Sequence, residues 1–106
     1  MYLMPRDANP AWTFLTRHAH VLLCIADDPG IRLREIGARV GITERAAHRI
    51  VGELVDAGYI SRERRGRRNH YTVQLKRRLP DALARDQRVG DLLDVLIRRR
   101  SEPSPG

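Results

Sequence analysis

The amino-acid sequence predicts a single, mainly α-helical domain of the α+β class that carries one small β-hairpin. Apolar residues recur at steps of three and four in four segments, which is the period of an amphipathic helix. The segment near residue 70 instead alternates apolar and polar residues, as a half-buried strand does. A chain of 106 residues is long enough for one such domain and too short for two.

The composition excludes several classes of protein. With 42% hydrophobic and 31% charged residues, the chain can form a packed core. Its longest apolar stretch, Val21 to Ala26, falls far short of the roughly 20 residues that span a membrane. The first ten residues contain no basic start followed by an apolar run, so we expect no secretory signal and a cytoplasmic location. The single cysteine, Cys24, lies in an apolar run and is expected to be an inert core residue.

Positive charge is concentrated in the middle of the chain. The formal net charge is +7, and all but one of the 20 basic residues are arginines. Residues 31–80 contain twelve Arg and one Lys against five acidic residues, whereas the segments on either side are close to neutral. A basic surface in this central segment is typical of a domain that binds nucleic acid.

Two helices are predicted before residue 42. A loop is expected over residues 1–10, which contain two prolines. From about Ala11 to Ala26 the apolar residues recur at helical spacing, and the Asp-Pro-Gly turn at 28–30 ends this first helix. A short second helix is predicted over 33–40, and Gly41 is expected to end it in the left-handed conformation.

A third helix over residues 43–57 is the most informative prediction. The hydroxyl of Thr43 can cap its first turn, and Gly58 is its expected stop. Four apolar residues form its buried stripe: Ala47, Ile50, Val51 and Leu54. The opposite face is polar and is basic in its N-terminal half, with Glu44, Arg45, His48, Arg49, Gly52 and Glu53.

A basic hairpin and a further helix complete the predicted elements. Strands are expected over 59–64 and 69–75, and the link between them contains Gly66. A linker interrupted by Pro80 leads to an amphipathic helix from about Arg88 to Arg99. The remaining tail, 101–106, is expected to be disordered.

A short helix, a glycine-containing turn and a second helix with small residues near its start form the helix-turn-helix arrangement. Ala38, Gly41, Ala46 and Ala47 supply those small residues, and the hairpin that follows would be a wing. The sequence here resembles the winged helix-turn-helix transcription regulators of bacteria of the ArsR and MarR type. Three segments carry the resemblance, within a region of about residues 11 to 75: 33–43, 57–60 and 66–71.

The resemblance implies a fold with the order αβααββ, in which the third helix reads DNA and the wing, residues 61–74, contacts phosphate or the minor groove. Together with the elements predicted from the residues, it gives an N-terminal loop (1–10), a DNA-binding domain (11–79), a linker with a C-terminal dimerisation helix (80–100) and a tail (101–106). The cysteine motif of ArsR-like metal sensors is absent from residues 33–40, so no metal and no other cofactor is expected. The candidate DNA-binding residues are Thr43, Glu44, Arg45, His48, Arg49, Arg64, Arg65, Arg67, Arg68 and Asn69.

Each basic group also has a plainer interpretation. Arg45 and Arg49 lie four residues apart, where they could contact guanine or phosphate, but Arg49 could instead pair locally with Glu53. The arginines around Gly66 repel one another unless an anion compensates them, although they could form a solubilising loop. A phosphate partner is the simpler explanation of four like charges within five residues.

The apolar face of the C-terminal helix is wider than a peripheral helix of a small domain needs. We therefore expect a homodimer in which this face meets its copy, with the start of the first helix beside it. The alternative is that the helix folds back on its own domain. The candidate dimerisation residues are Trp12, Phe14, Val89, Leu92, Leu93 and Leu96.

These features predict a homodimeric regulator of transcription that binds double-stranded DNA with sequence specificity, in the nucleoid, and acts as a repressor. Two alternatives stay open: a non-specific architectural DNA-binding protein and a winged-helix module for protein interaction. No arrangement of nucleophile, paired carboxylates or phosphate-binding glycines suggests an enzyme. A small effector is conceivable, although no pocket signature in the sequence supports one.

Overall fold

The computed structural model describes residues 10–101, with side chains for residues 10–97. Four helices and a two-stranded antiparallel sheet are found in this part of the chain. In chain order they are α1 (Arg17–Asp27), α2 (Leu33–Val40), α3 (Glu44–Asp56), β1 (Ile60–Arg65), β2 (Arg68–Val73) and α4 (Val89–Ser101), with a short 3-10 turn (Ala82–Ala84) before α4. The structure confirms the predicted mainly α-helical α+β class with a hairpin wing.

The core lies where α1, α2 and α3 meet and the hairpin closes one side. The amphipathic helices pack their apolar faces together, and burial of these apolar side chains is the main force that holds the elements together. The buried residues of α3 are the four that its pattern predicted. In the described part of the domain, the largest side chains that are fully buried are Ile25, Ile36, Ile50, Val21, Val51 and Val89.

The first helix is shorter than predicted. α1 begins at Arg17 because the Thr16 hydroxyl accepts a hydrogen bond from the backbone N–H of Ala19 at 3.1 Å, which caps its first turn. The predicted helical residues before it form bends, and Trp12 and Phe14 are exposed. The helical spacing of apolar residues therefore extended past the true cap. Residues 1–9 and 102–106, which include most of the predicted loop and tail, lie outside the described residues.

The turn between α2 and α3 depends on two glycines. Gly41 ends α2 with a φ of 83°, as predicted for a left-handed C-cap. Gly37 was not among the small residues predicted at the helix crossing, yet a Cβ there would lie 2.7 Å from the Ile42 carbonyl oxygen. Ala38, which was predicted at the crossing, is exposed. Gly37 is therefore the residue that allows the turn to pack against α2.

The hairpin is joined to the helices through the loop before α2. The strands pair from Ile60 with Val73 to Arg65 with Arg68, and Tyr71 of β2 is buried. The backbone N–H of Tyr71 donates to the Pro29 carbonyl at 2.9 Å. The fold order implied by the family resemblance included a strand between α1 and α2, but the described residues contain only this single backbone link at that position. The loop between α1 and α2, residues 28–32, makes one backbone hydrogen bond to β2, which is too few for a paired strand.

α4 packs against its own domain at its first turns. The Asp91 carboxylate accepts from the backbone N–H of Arg88 at 2.8 Å, which caps the start of this helix. Val89 and Leu93, which were predicted at a dimer interface, are buried in the core of their own domain. For these two residues the interpretation that the helix folds back is the correct one. In the described part of the chain, no helix is both long enough and apolar enough to cross a membrane.

Candidate nucleic-acid interface

The exposed face of α3 carries three of the predicted base-reading side chains. Arg45, His48 and Arg49 lie three and four residues apart, so they project from the same side of the helix, and all three are exposed. Thr43 is occupied as the cap of α3, because its hydroxyl accepts from the backbone N–H of Ala46 at 3.0 Å. The cap places the first turn of α3, with Glu44 and Arg45, at the edge of the domain.

Arg49 and Arg45 differ in their surroundings. The guanidinium of Arg49 is 3.4 Å from the Glu53 carboxylate, which is the local pairing that the sequence allowed. Nε2 of His18, on α1, lies 2.7 Å from the same carboxylate. Within the described residues no hydrogen bond or ion pair holds the Arg45 side chain. Arg45 is therefore the arginine of this face whose donors are available without breaking an existing contact.

The hydrogen bonds from His18 and Arg49 have an electrostatic consequence for Glu53. The hydrogen bond from His18 is the main factor that holds the pKa of the Glu53 carboxyl below its usual value of 4.5, and the positive charge of Arg49 acts in the same direction. The pKa of Glu63 on the wing is also lowered, because its carboxylate accepts a hydrogen bond from Arg65 at 2.7 Å. Both carboxyl groups are therefore ionised at neutral pH.

The four arginines of the wing do not form one cluster. Side chains alternate between the two faces of a strand, so Arg64 and Asn69 share one face of the hairpin while Arg65 and Arg68 share the other. Arg64 donates to the Gly66 carbonyl at 3.0 Å, and Arg65 is paired with Glu63 as described above. Within the described chain, Arg67 and Arg68 have neither an ion pair nor a side-chain hydrogen bond.

Arg67 and Arg68 meet two further arginines at a cleft between the wing and the start of α2. This basic cleft has a volume of about 460 Å³. Arg32 and Arg34 line it from the α2 side, and Glu44 is the single acidic residue of its lining. The complete lining is Gly30, Ile31, Arg32, Leu33, Arg34, Glu44, Arg67, Arg68, Asn69 and Tyr71.

Arg32 and Arg34 were missed as candidate contacts. The signal was present in the sequence, since an Arg-x-Arg pair opens α2 directly after the turn at 28–30. The sequence could not show that the start of α2 lies close to the wing. In the structure, the hydrogen bond from the backbone N–H of Tyr71 to the Pro29 carbonyl joins these two parts. Of the predicted wing residues, Arg67, Arg68 and Asn69 line the cleft, whereas Arg64 and Arg65 do not.

The arrangement suits binding of a polyanion. Guanidinium groups form paired hydrogen bonds with phosphate oxygens, and the free backbone N–H groups at the start of a helix favour an anion. The start of α2 and the wing present guanidinium groups to the basic cleft, and the first turn of α3 borders it with Glu44. No group of three or more His, Cys, Asp or Glu that could hold a metal ion occurs among the described side chains.

The predicted dimerisation residues divide into two sets. Val89 and Leu93 belong to the core, whereas Trp12 is 60% exposed and Phe14 is 92% exposed. The two exposed rings contact each other edge to face, with centroids 5.1 Å apart. Leu92 and Leu96 are partly exposed, and Val95 beside them is 61% exposed.

Comparisons with known proteins agree with this geometry. Residues 17–61 match the family model of winged helix-turn-helix DNA-binding domains, whereas no curated protein matches the sequence. A MarR family protein of Mycobacterium tuberculosis, solved in complex with salicylic acid, has a similar fold with a TM-score of 0.51 and 22% sequence identity. The match covers 80% of this chain and 59% of that protein. The residues matched by the family model extend from α1 into β1, so this part of the chain is similar to winged helix-turn-helix DNA-binding domains, and the fold of the chain is similar to that of a MarR family protein.

Proposed function

We propose that this protein is a regulator of transcription that binds double-stranded DNA with sequence specificity as a homodimer. α3 enters the major groove, and the wing and the start of α2 contact the phosphates on either side. Regulation is by occlusion of promoter DNA, in the nucleoid of the cytoplasm, and requires no catalytic residue. The protein therefore acts as a repressor.

The observation that carries the proposal is the basic cleft. Arg32 and Arg34 reach it from one part of the chain, and Arg67 and Arg68 reach it from another. Folding thus brings four guanidinium groups together against a single lining carboxylate, that of Glu44, which costs electrostatic free energy in the absence of an anion. A phosphate backbone supplies anions at regular intervals and compensates this repulsion.

The position of Arg45 supports sequence-specific recognition. Arg45 lies in the first turn of α3, next to the Glu44 that borders the basic cleft. When phosphates occupy the cleft, the first turns of α3 face the base edges, where an arginine can donate two hydrogen bonds to guanine. Arg45 is the proposed base-reading residue, with His48 and Arg49 one turn further along.

The exposed apolar residues at the two ends of the domain support the homodimer. Trp12 and Phe14 precede α1, and Val95 and Leu96 lie on α4, which contacts α1. Covering these side chains with a second copy removes apolar surface from water. A two-fold dimer would present two α3 helices to successive major grooves about one helical turn apart.

The test is selection of a random pool of duplex DNA by the purified protein at about 150 mM salt, followed by sequencing of the bound fraction. A two-fold symmetric site with half-sites about 10 bp apart is the expected result. Retention without enrichment would identify a non-specific architectural protein instead. Absence of retention would contradict DNA binding and favour a role in protein interaction.

A further inference from the structure

A second cavity lies between α1, the C-terminal half of α3, the loop before the 3-10 turn and the start of α4. We call it the α1–α4 cavity; its volume is about 490 Å³. It shares no lining residue with the basic cleft. Its apolar lining consists of Ala19, Leu22, Leu54, Ala57, Tyr59, Leu79, Pro80, Val89 and Leu92, and its polar lining of Thr16, His18, Glu53 and Asp81.

Carboxylates predominate among the ionisable groups of the α1–α4 cavity, whose lining also includes the imidazole of His18. Two carboxylates, those of Glu53 and Asp81, line it, and none of the lining side chains is Lys or Arg. The chain as a whole carries a net charge of +7, so a cavity lined by two carboxylates and by no Lys or Arg differs from the average charge of the protein. Within the described residues, no hydrogen bond or ion pair reaches the Asp81 carboxylate.

We propose that the α1–α4 cavity binds a lipophilic monocation, an onium ion or a protonated amine with a bulky apolar body. The apolar body lies against Leu22, Leu54 and Leu92, where its burial provides most of the binding free energy. The cationic group lies at the carboxylates of Asp81 and Glu53, which exclude an anion of the same shape. Charge complementarity therefore selects the ligand class.

Glu53 connects this cavity to the recognition helix. Its carboxylate contacts His18 at 2.7 Å and Arg49 at 3.4 Å, and the lowered pKa keeps it ionised at neutral pH. A bound cation competes with Arg49 for this carboxylate, so the guanidinium of Arg49 becomes free to contact DNA. This second step rests on the proposed function; the gain in DNA affinity is at most about fivefold, because an exposed ion pair is weak.

Calorimetric titration of the full chain without DNA tests the binding step. Tetraphenylphosphonium and tetraphenylborate are the probes, because they have nearly the same size and shape and opposite charge. The net charge of +7 would attract the anion in general. Tighter binding of the cation, by about tenfold, is nevertheless expected from two exposed carboxylates. Separate titrations into DNA complexes then measure the coupling to Arg49.

Substitutions of Asp81 and Glu53 test whether these two carboxylates bind the cation. Asp81→Asn and Glu53→Gln each weaken cation binding by about two- to fivefold, and Asp86→Asn, the same change outside the cavity lining, leaves it unchanged. Equal or tighter binding of the anion, or no effect of either cavity variant, would overturn the proposal. Dissociation of a dimer during the titration would also overturn the proposal, because it would show that a second copy of the chain fills the cavity before the probe is added. Because these titrations contain no DNA, their result does not depend on whether the proposed DNA-binding function is correct.

Discussion

Nε2 of His18 lies 2.7 Å from Oε1 of Glu53, and this contact joins residues that are 35 positions apart. It connects α1 to the exposed edge of α3, where the same carboxylate also pairs with Arg49. α3 is therefore held by a polar contact at its surface in addition to the apolar core beneath it.

Arg45 and Arg49 are expected to contribute differently to DNA binding. Arg45→Ala removes a guanidinium that has no partner in the protein, and we expect it to reduce discrimination between the best site and its variants by about 1–3 kcal/mol. Arg49→Ala is expected to reduce this discrimination by a smaller amount, because DNA must compete with Glu53 for the Arg49 side chain. Quantitative binding to matched duplexes measures both, with Arg85→Ala as a control for loss of one positive charge. If Arg45→Ala lost the same affinity for every duplex, this result would contradict the proposal that Arg45 contacts the bases.

The stability of the protein should depend on the ionisation of Glu53. Folding lowers the pKa of this carboxyl from 4.5, so its stabilising contribution is present above pH 4.5 and is lost as the pH falls through the lowered value. Glu53→Gln is therefore expected to be less stable than the wild type at neutral pH, and the difference is expected to disappear as the pH falls below the lowered pKa of Glu53. Urea unfolding of both proteins across this range is the measurement. A difference that does not change with pH would mean that the ionised carboxylate is not responsible.

Gly37 in α2 and Gly52 in α3 should respond in opposite ways to replacement by alanine. In Gly37→Ala the new Cβ would lie 2.7 Å from the Ile42 carbonyl oxygen, and backbone cannot move aside easily, so we expect a loss of about 1–3 kcal/mol of stability. In Gly52→Ala the Cβ meets no atom within 4 Å, and a gain of up to about 1 kcal/mol is expected from helix propensity. Thermal unfolding of the two variants and of the wild type measures these changes in stability. Similar stability of the two variants would show that α2 and the turn can separate without cost.

The wing arginines should contribute to affinity and not to sequence preference. Arg67→Ala combined with Arg68→Ala is expected to weaken binding about equally for all duplexes and to lower the slope of log affinity against log salt by up to about two units. Arg32→Ala and Arg34→Ala should act in the same way, because they line the same cleft. Titrations at several salt concentrations provide the slope. An unchanged slope in the wing double variant would exclude the hairpin from contact with the DNA backbone.

Self-association is expected to depend on the apolar residues that stay exposed in the single domain. Light scattering should give about twice the chain mass of 12.2 kDa for the wild type. Val95→Glu should give the monomer with its helical content retained, because Val95 is 61% exposed and its replacement leaves the core intact. Leu83→Glu, the same kind of change at a fully exposed leucine on the 3-10 turn, is the control. A monomeric wild type at all concentrations would contradict the homodimer.

Elements with strong local signals were predicted closely from the sequence. α2 has the predicted bounds, and α3 begins after the predicted cap, because Thr43 and Gly41 specify a cap and a left-handed turn through their own chemistry. The start of α1 was predicted too early. Apolar spacing continues through Phe14 and Leu15, whereas the hydrogen bond of the Thr16 hydroxyl decides where the helix begins.

The sequence by itself determined the fold class, the basic character of the middle of the chain and the polar face of α3, because periodicity and charge are local properties. Only the tertiary structure decided which distant residues share a site. Packing brought Arg32 and Arg34 beside the wing, placed Val89 and Leu93 in the core, and set His18 against Glu53. These relationships depend on how helices cross and how the hairpin attaches to the loop at Pro29, and such distances are fixed by the packing of the whole domain.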